Sequence, residues 1–294
     1  MNHEEPLTTE LVCFGELLWD VYEDGEMLGG APFNVAAIAS AKGVKAAMIT
    51  AVGNDERGRR IYAAAREKVE LLCQVTDYKT GIVKVSLDEE KTPTFIIEKD
   101  AAYDYIIFDD AVDRVCSNAL FFCFGTLAQR NTVSRETLKK ILKTTKAVKI
   151  YDFNYREGID EWQSLFTESV EKTDILKVNE EELELLKTLY GSEADEAFLN
   201  MLIRQYGLKY VFVTRGDKGA SLYSGKKVLH RDAVKTRVVD TTGCGDAFTA
   251  GVVYSLLHKA EDERILECAA QLAAEIASVM GAVPDKQLKA LRKK

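Results

Sequence analysis

At 294 residues, 47% of them apolar and 29% charged, the chain has the size and composition of a soluble protein built on one large domain. Its 39 Lys and Arg against 47 Asp and Glu leave a net charge of −8, which argues against nucleic acid or an anionic membrane as the main partner. The longest nearly apolar run, 119–124, is far short of the ~20 residues a membrane helix needs. The first ten residues carry Glu4, Glu5 and Glu10 and no Lys or Arg, unlike a signal peptide, so a cytoplasmic location is expected. Six scattered cysteines without Cys-x-x-Cys spacing, and three dispersed histidines, give no zinc pattern.

Taken in chain order, apolar residues at 11–15 predict the first strand. A helix at 34–41, a strand at 46–52 and a helix at 55–68 follow. At 81–98 the pattern changes: Val83, Val85 and Leu87 alternate with Lys84, Ser86 and Asp88. That alternation predicts a half-exposed antiparallel hairpin turning at Asp88-Glu89-Glu90-Lys91, either a lid or a surface hairpin without a role. Beyond it come a strand at 119–124, a helix at 134–143 and strands at 147–153 and 174–178. Helices at 180–189 and 195–206, a strand at 210–214, a strand-like stretch at 235–239 and helices at 246–258 and 265–280 complete the chain. Strands separated by helices imply βαβ units and a mostly parallel sheet.

The strongest chemical signal is Asp240-Thr241-Thr242-Gly243-Cys244-Gly245-Asp246-Ala247-Phe248. Glycines at a loop-to-helix junction let backbone N–H groups converge, and the helix N-terminus adds partial positive charge, so Gly243, Cys244 and Gly245 form a candidate phosphate site. Asp246 stands where a carboxylate could take a proton from an attacking hydroxyl; as a bare Gly-x-Gly-Asp it would read as a helix cap. Upstream, Gly29-Gly30-Ala31-Pro32-Phe33-Asn34 offers close backbone approach and an amide that both donates and accepts. There is no Gly-x-x-x-x-Gly-Lys-Ser/Thr, which excludes a P-loop NTPase, and no Gly-x-Gly-x-x-Gly after the first strand.

These two stretches, in this order, resemble the C-terminal and N-terminal signatures of the ribokinase-like, or pfkB-type, carbohydrate kinases. The resemblance spans nearly the whole chain. It implies one domain over 1–294, a three-layer αβα sandwich around a mostly parallel central sheet, and a small β-sheet lid from about 16–30 and 81–103. It implies an ATP-dependent kinase of a small sugar, with Asp246 as base and Gly243, Cys244 and Gly245 as anion hole. Asp20, Gly30, Asn34 and Arg156 would bind the sugar. Asn179, Thr214, Gly216, Gly243 and Gly245 would border ATP. Glu182, in the Asn-x-x-Glu element with Asn179, would reach Mg2+ through water, and a K+ ion would sit near Asp240 and Gly281. Gly53-Asn54-Asp55-Glu56-Arg57-Gly58 resembles a turn of the same family. A homodimer through the lid is compatible with it.

Among the family's substrates, Ala31-Pro32-Phe33, Ala101-Ala102-Tyr103-Asp104 and Asp152-Phe153-Asn154-Tyr155-Arg156 with Trp162 look most like fructokinases. Asp104, placed where ketodeoxygluconate kinases carry an extra Arg, points to a neutral ketose. The alternatives are a 2-keto-3-deoxygluconate kinase, a ribokinase or, in another class, a sugar- or nucleotide-binding protein that has lost turnover.

Overall fold

The computed structural model describes residues 9–87, 93–225 and 227–292. Its elements are β1 (Leu11–Phe14), β2 (Leu18–Tyr22), β3 (Gly25–Gly29), α1 (Ala31–Ala41), β4 (Ala46–Gly53), α2 (Glu56–Ala65), β5 (Glu70–Thr76), β6 (Gly81–Leu87) and β7 (Pro93–Ile97). They continue with α3 (Asp110–Ser117), β8 (Phe121–Phe124), α4 (Thr132–Thr144), β9 (Val148–Asp152), α5 (Trp162–Val170), β10 (Ile175–Asn179), α6 (Glu180–Tyr190) and α7 (Asp195–Tyr206). The chain ends with β11 (Tyr210–Thr214), β12 (Ala220–Tyr223), β13 (Val228–Arg231), α8 (Cys244–Leu257), α9 (Asp262–Ala277) and α10 (Asp285–Leu291).

Nine strands form the central sheet in the order β13-β12-β11-β10-β9-β8-β1-β4-β5, every pair parallel except β11–β12 and β12–β13. In β1, Leu11 and Cys13 enter one core with α1, α8, α9 and α10, while Val12 and Phe14 enter the opposite core with α3 to α7. Both faces are therefore apolar, which is why the parallel strands read as unbroken apolar runs. The order reverses at β1, flanked by β8 and β4, and ligands of open α/β sheets bind in the crevice at such a switch, outside the carboxyl ends of the strands.

A second sheet, β3-β2-β6-β7, stands over that edge. Its β6 and β7 are the predicted hairpin, and the Asp88-Glu89-Glu90-Lys91 turn lies outside the described residues. The hairpin joins β2 by a parallel pair, Leu18↔Gly81 to Val21↔Lys84. Asp55, in the family-like turn, anchors this sheet to the core. It caps α2 through Gly58 N at 2.6 Å and accepts from Thr80 N at 2.9 Å and Thr80 Oγ1 at 2.7 Å.

The strand-like stretch at 235–239 is not a strand. Val238 and Val239 are exposed, and the segment is held by Val239 N donating to Ala277 O at 2.8 Å rather than by a ladder. The helix expected at 265–280 runs three residues earlier at each end, because Ser278 to Gly281 turn back toward the 240s loop. Strands β5, β12 and β13 and helices α3, α5 and α10 add to the expected set; all are short or at an edge, where apolar periodicity is weak.

Candidate active site

Helix α8 is apolar on nearly every side because it packs between α1 and α9. Gly251 permits the second contact, since a Cβ there would come within 2.7 Å of Ala269 Cα. Its N-terminus is open. Gly243 is left-handed (φ 78°) and no side chain caps the helix. Cys244 N makes a 3.2 Å turn bond to Thr241 O, and the remaining first-turn amides have no capping acceptor. A Cβ on Gly243 would overlap Ala282, so only glycine fits this turn. Uncapped amides at the positive end of a 14-residue helix are a ready anion site.

Asp246 lies in the first turn of α8 and is not its cap. Its Oδ2 accepts from Asn34 Nδ2 of α1 at 2.8 Å, across 212 residues of sequence. Burial, and then the nearby Asp152, push the carboxyl up to about 6, against the opposing pull of Asn34, Lys177 and Arg156. A buried carboxylate of raised basicity beside an anion site has the attributes of a general base. Asn34 Oδ1 and Glu16 Oε2 are buried oxygens without a hydrogen-bond partner. Both suit a ligand rich in hydroxyl donors.

Asp20 projects from β2 into the same crevice. Burial, then Asp246, raise it to about 6, while Arg156 works in the other direction. Glycine at 29 is required because a Cβ would overlap the Asp20 carboxylate, and Gly30 (φ 111°) because one would strike Glu16 O. Glu16 itself is lifted to about 7, chiefly by burial, with Arg156 pulling it down and Asp246 pushing it up. Arg156 is exposed, and its Nη1 donates to Tyr155 O at 2.9 Å. Asp20, Gly30, Asn34, Arg156 and Asp246 are thus brought together from four segments: β2, the start of α1, the loop after β9 and the start of α8.

Asn179 and Thr214 end β10 and β11 as direct register partners, and Gly216 (φ 56°) turns the chain just beyond. Asn179 caps α6 through Glu182 N at 2.8 Å. Both Glu182 oxygens accept backbone amides, Oε2 from Asn179 N and Oε1 from Tyr155 N, each at 2.8 Å. Glu182 therefore braces the β9 and β10 loops. Asp240 likewise accepts from Thr242 N at 2.9 Å and Gly281 N at 2.8 Å, fixing the loop before α8. Burial, then Asp240 and Asp246, raise the Cys244 thiol to about 11, so it is protonated at neutral pH and not a reactive thiolate.

Asp104 does not face the crevice. It is buried and paired with Arg130 at 2.8 and 2.7 Å, and so does not weigh on the choice of sugar. Sequence reasoning passed over Glu16, Asp152, Lys177 and Thr249. A signal existed for two of them: Asp152 and Lys177 stand in strands buried on both faces, where a charge needs a partner.

A model of the pfkB family carbohydrate kinases matches residues 6–288. The chain belongs to that family. It is a sugar kinase with the ribokinase-like fold. An uncharacterized sugar kinase of Pyrococcus horikoshii is 31% identical over 262 residues, 84% of this chain and 82% of that protein. The structure of that kinase in complex with ATP superposes with a TM-score of 0.81 at 28% identity, covering 93% of this chain and 94% of that one. An ATP-dependent 6-phosphofructokinase of Thermoanaerobacterium thermosaccharolyticum is 28% identical over 93% of this chain and 92% of its own length. Fructokinase-1 of Zea mays is 29% identical over 78% of this chain and 73% of its own.

Proposed function

We propose that this sugar kinase is an ATP-dependent fructokinase with Asp246 as its general base. The observation that carries the mechanism is the buried Asp246 carboxylate, held by Asn34, beside the uncapped amides of α8. Asp246 would take the proton of a sugar hydroxyl as its oxygen bonds to the γ-phosphorus. The bond from that phosphorus to the β–γ bridging oxygen breaks, and ADP leaves. The first-turn amides of Gly245 and Asp246, joined by Cys244 N if it leaves Thr241 O, and the dipole of α8 would hold the charge gathered on the phosphoryl oxygens. Asp20 would accept sugar hydroxyls, with Asn34 Oδ1 and Glu16 as further partners. Asn179, Thr214 and Gly216 would border the nucleotide, and β3-β2-β6-β7 would serve as the lid of a single-domain enzyme.

Magnesium would be carried on the ATP phosphates, and Glu182, whose oxygens are committed to Asn179 N and Tyr155 N, would reach it through water. Asp240 likewise uses both oxygens on Thr242 and Gly281, which leaves the K+ expectation resting on family resemblance. Exposed Met27 on β3 and Ile96 on β7 make the lid edges the natural place for a homodimer contact.

The preference for a neutral sugar is supported by Asp20 and Asp246, two carboxyls that add negative charge to one crevice, opposed by Arg156 and, at Asp246, by Lys177. A carboxylate or phosphate on the acceptor would add negative charge there. The test is ADP release across D-fructose, D-ribose, 2-keto-3-deoxygluconate and fructose 6-phosphate. D-fructose should give the highest kcat/KM. A preference of more than about tenfold, or ~1.4 kcal/mol, for any of the others would reject the fructokinase reading.

A further inference from the structure

Beneath Asp246 lies a layer of buried charge that the transfer outlined above does not use. Lys177 Nζ, from β10, donates to Asp152 Oδ1 at 2.9 Å, and Thr249 Oγ1, from α8, donates to Asp152 Oδ2 at 2.9 Å. Thr249 Oγ1 is also 3.2 Å from Gly245 O, so it can turn to either acceptor. Lys177 Nζ lies 2.8 Å from where a Cβ on Gly245 would stand. Glycine at 245 therefore brings the anion loop directly onto an ammonium group. The ion pair is almost wholly buried, with side-chain exposures of 8% for Lys177 and 6% for Asp152. Apolar residues of similar volume in such a place are commonly as stable or more so, and stability alone gives no reason for the pair.

We propose that Lys177, Asp152 and Thr249 form a positioning unit for the catalytic loop, fixing the first turn of α8 against the sheet and governing the charge state of Asp246. This rests on Asp246 being the base. The groups facing Asp246 are Asn34 from α1, Asp152 from β9, Arg156 from the loop after it and Lys177 from β10. Glu16 and Asp20 face it from the β1–β2 segment, Cys123 from β8 and Cys244 from its own helix. Within this set Asp152 is the largest neighbouring charge pushing Asp246 up, and Lys177 opposes it. The unit thus holds an acid and a base effect in balance, at fixed geometry, under the group that must receive a proton.

The experiment measures the pH dependence of the single-turnover phosphoryl-transfer rate at saturating ATP and D-fructose, or whichever sugar in the panel is preferred. Wild type should show an acid limb that Asp246→Asn removes along with most of the rate. If Asp246→Asn keeps its rate, the base reading fails and this inference with it. With that limb established, Asp152→Asn should move it down by about one pH unit and lower the plateau, because a neighbouring negative charge is gone. The double variant Lys177→Met/Asp152→Asn removes both charges and should bring the limb back toward wild type, with a reduced plateau because the loop has lost its support. It also keeps the proposal testable if Asp152→Asn alone leaves Lys177 too poorly paired to fold. Variants that lose rate with the limb unmoved would overturn the positioning role and leave Asp246 as base intact.

Discussion

Lys177–Asp152 and Arg130–Asp104 are both buried ion pairs joining distant segments, the first under the glycine loop proposed to be catalytic and the second at the foot of the small sheet. Arg130 is held through Nε and Nη2. It makes two bonds to Asp104, one to Glu98 O at 2.7 Å and one to Tyr103 Oη at 3.0 Å, and its guanidinium lies over the Tyr103 ring. Tyr103 in turn fills the space a side chain at Gly81 would take, where β6 meets β2. Lys177 Nζ donates to Asp152, and its charge also faces Glu182 and Asp246. A guanidinium tied by four bonds to Asp104, Glu98 and Tyr103 makes a brace. An ammonium held by one partner and turned toward a reacting group can tune chemistry. If Asp246 is the base, burial and opposite charge do not decide the role of such a pair; the groups its cation faces do.

The sharpest way to break that contrast is Asp246→Asn. Asn keeps the size of the side chain but cannot take a proton at neutral pH, so kcat should fall by roughly 10²–10⁴-fold. Stability at pH 7 should hold or rise, because burial raises the Asp246 carboxyl and its ionised form costs the fold. A folded variant keeping more than about a tenth of wild-type kcat, with chemistry rate-limiting, would remove the base from the mechanism.

Arg130→Met should show the opposite signature. Asp104 would be left buried without its cation, at a cost of about 3–5 kcal/mol in urea unfolding. The single-turnover rate at saturating substrates should change less than about tenfold, or ~1.4 kcal/mol. A rate loss as large as that of Asp246→Asn would mean that Arg130 acts on the chemistry and that the division between brace and tuning is false.

The fold was legible where a strand lies in the middle of the sheet and is apolar on both sides, as at β1, β8 and β10. It was illegible at 235–239, whose valines mimic a strand but bury nothing, and at β5, where an edge position mixes apolar and polar residues. The loop of α8 and Asn34 drew attention because glycine-rich turns leave a mark on local sequence, whereas Asp20 was picked out only through the family resemblance. Asp152, Lys177 and Thr249 could not be assembled that way, since their meeting depends on β9 and β10 being neighbours and on α8 crossing beneath them. Asp104 misled for the same reason: its partner, 26 residues on, decides where it points.

Asp20→Ala sharpens the comparison on the sugar side. Losing a charge-assisted acceptor should weaken D-fructose binding by about 1.5–3 kcal/mol in calorimetric titration and leave ATP binding nearly unchanged. Equal losses for both ligands would take Asp20 out of the sugar site.

The smallest effect belongs to Glu16, which lies between the two ion pairs and is felt by Tyr103 and Arg130 on one side and set by Arg156 and Asp246 on the other. Burial raises its carboxyl from 4.5 to about 7 in the folded protein. The native state therefore keeps a proton that the unfolded chain gives up between those values. Stability contributed by this group must fall as pH rises through that window, and it stays lost above it. Glu16→Gln cannot ionise, so its unfolding free energy should depend less on pH. Between pH 6 and 7.5, wild type should lose ~1 kcal/mol more than the variant in urea unfolding. Asp20 and Asp246 titrate in both proteins, so their contributions largely cancel in the difference. Equal slopes would mean that Glu16 is ionised in the native state, its charge met by Arg130 or Arg156. Glu16 would then belong with the brace and not with the carboxyls left open to a sugar.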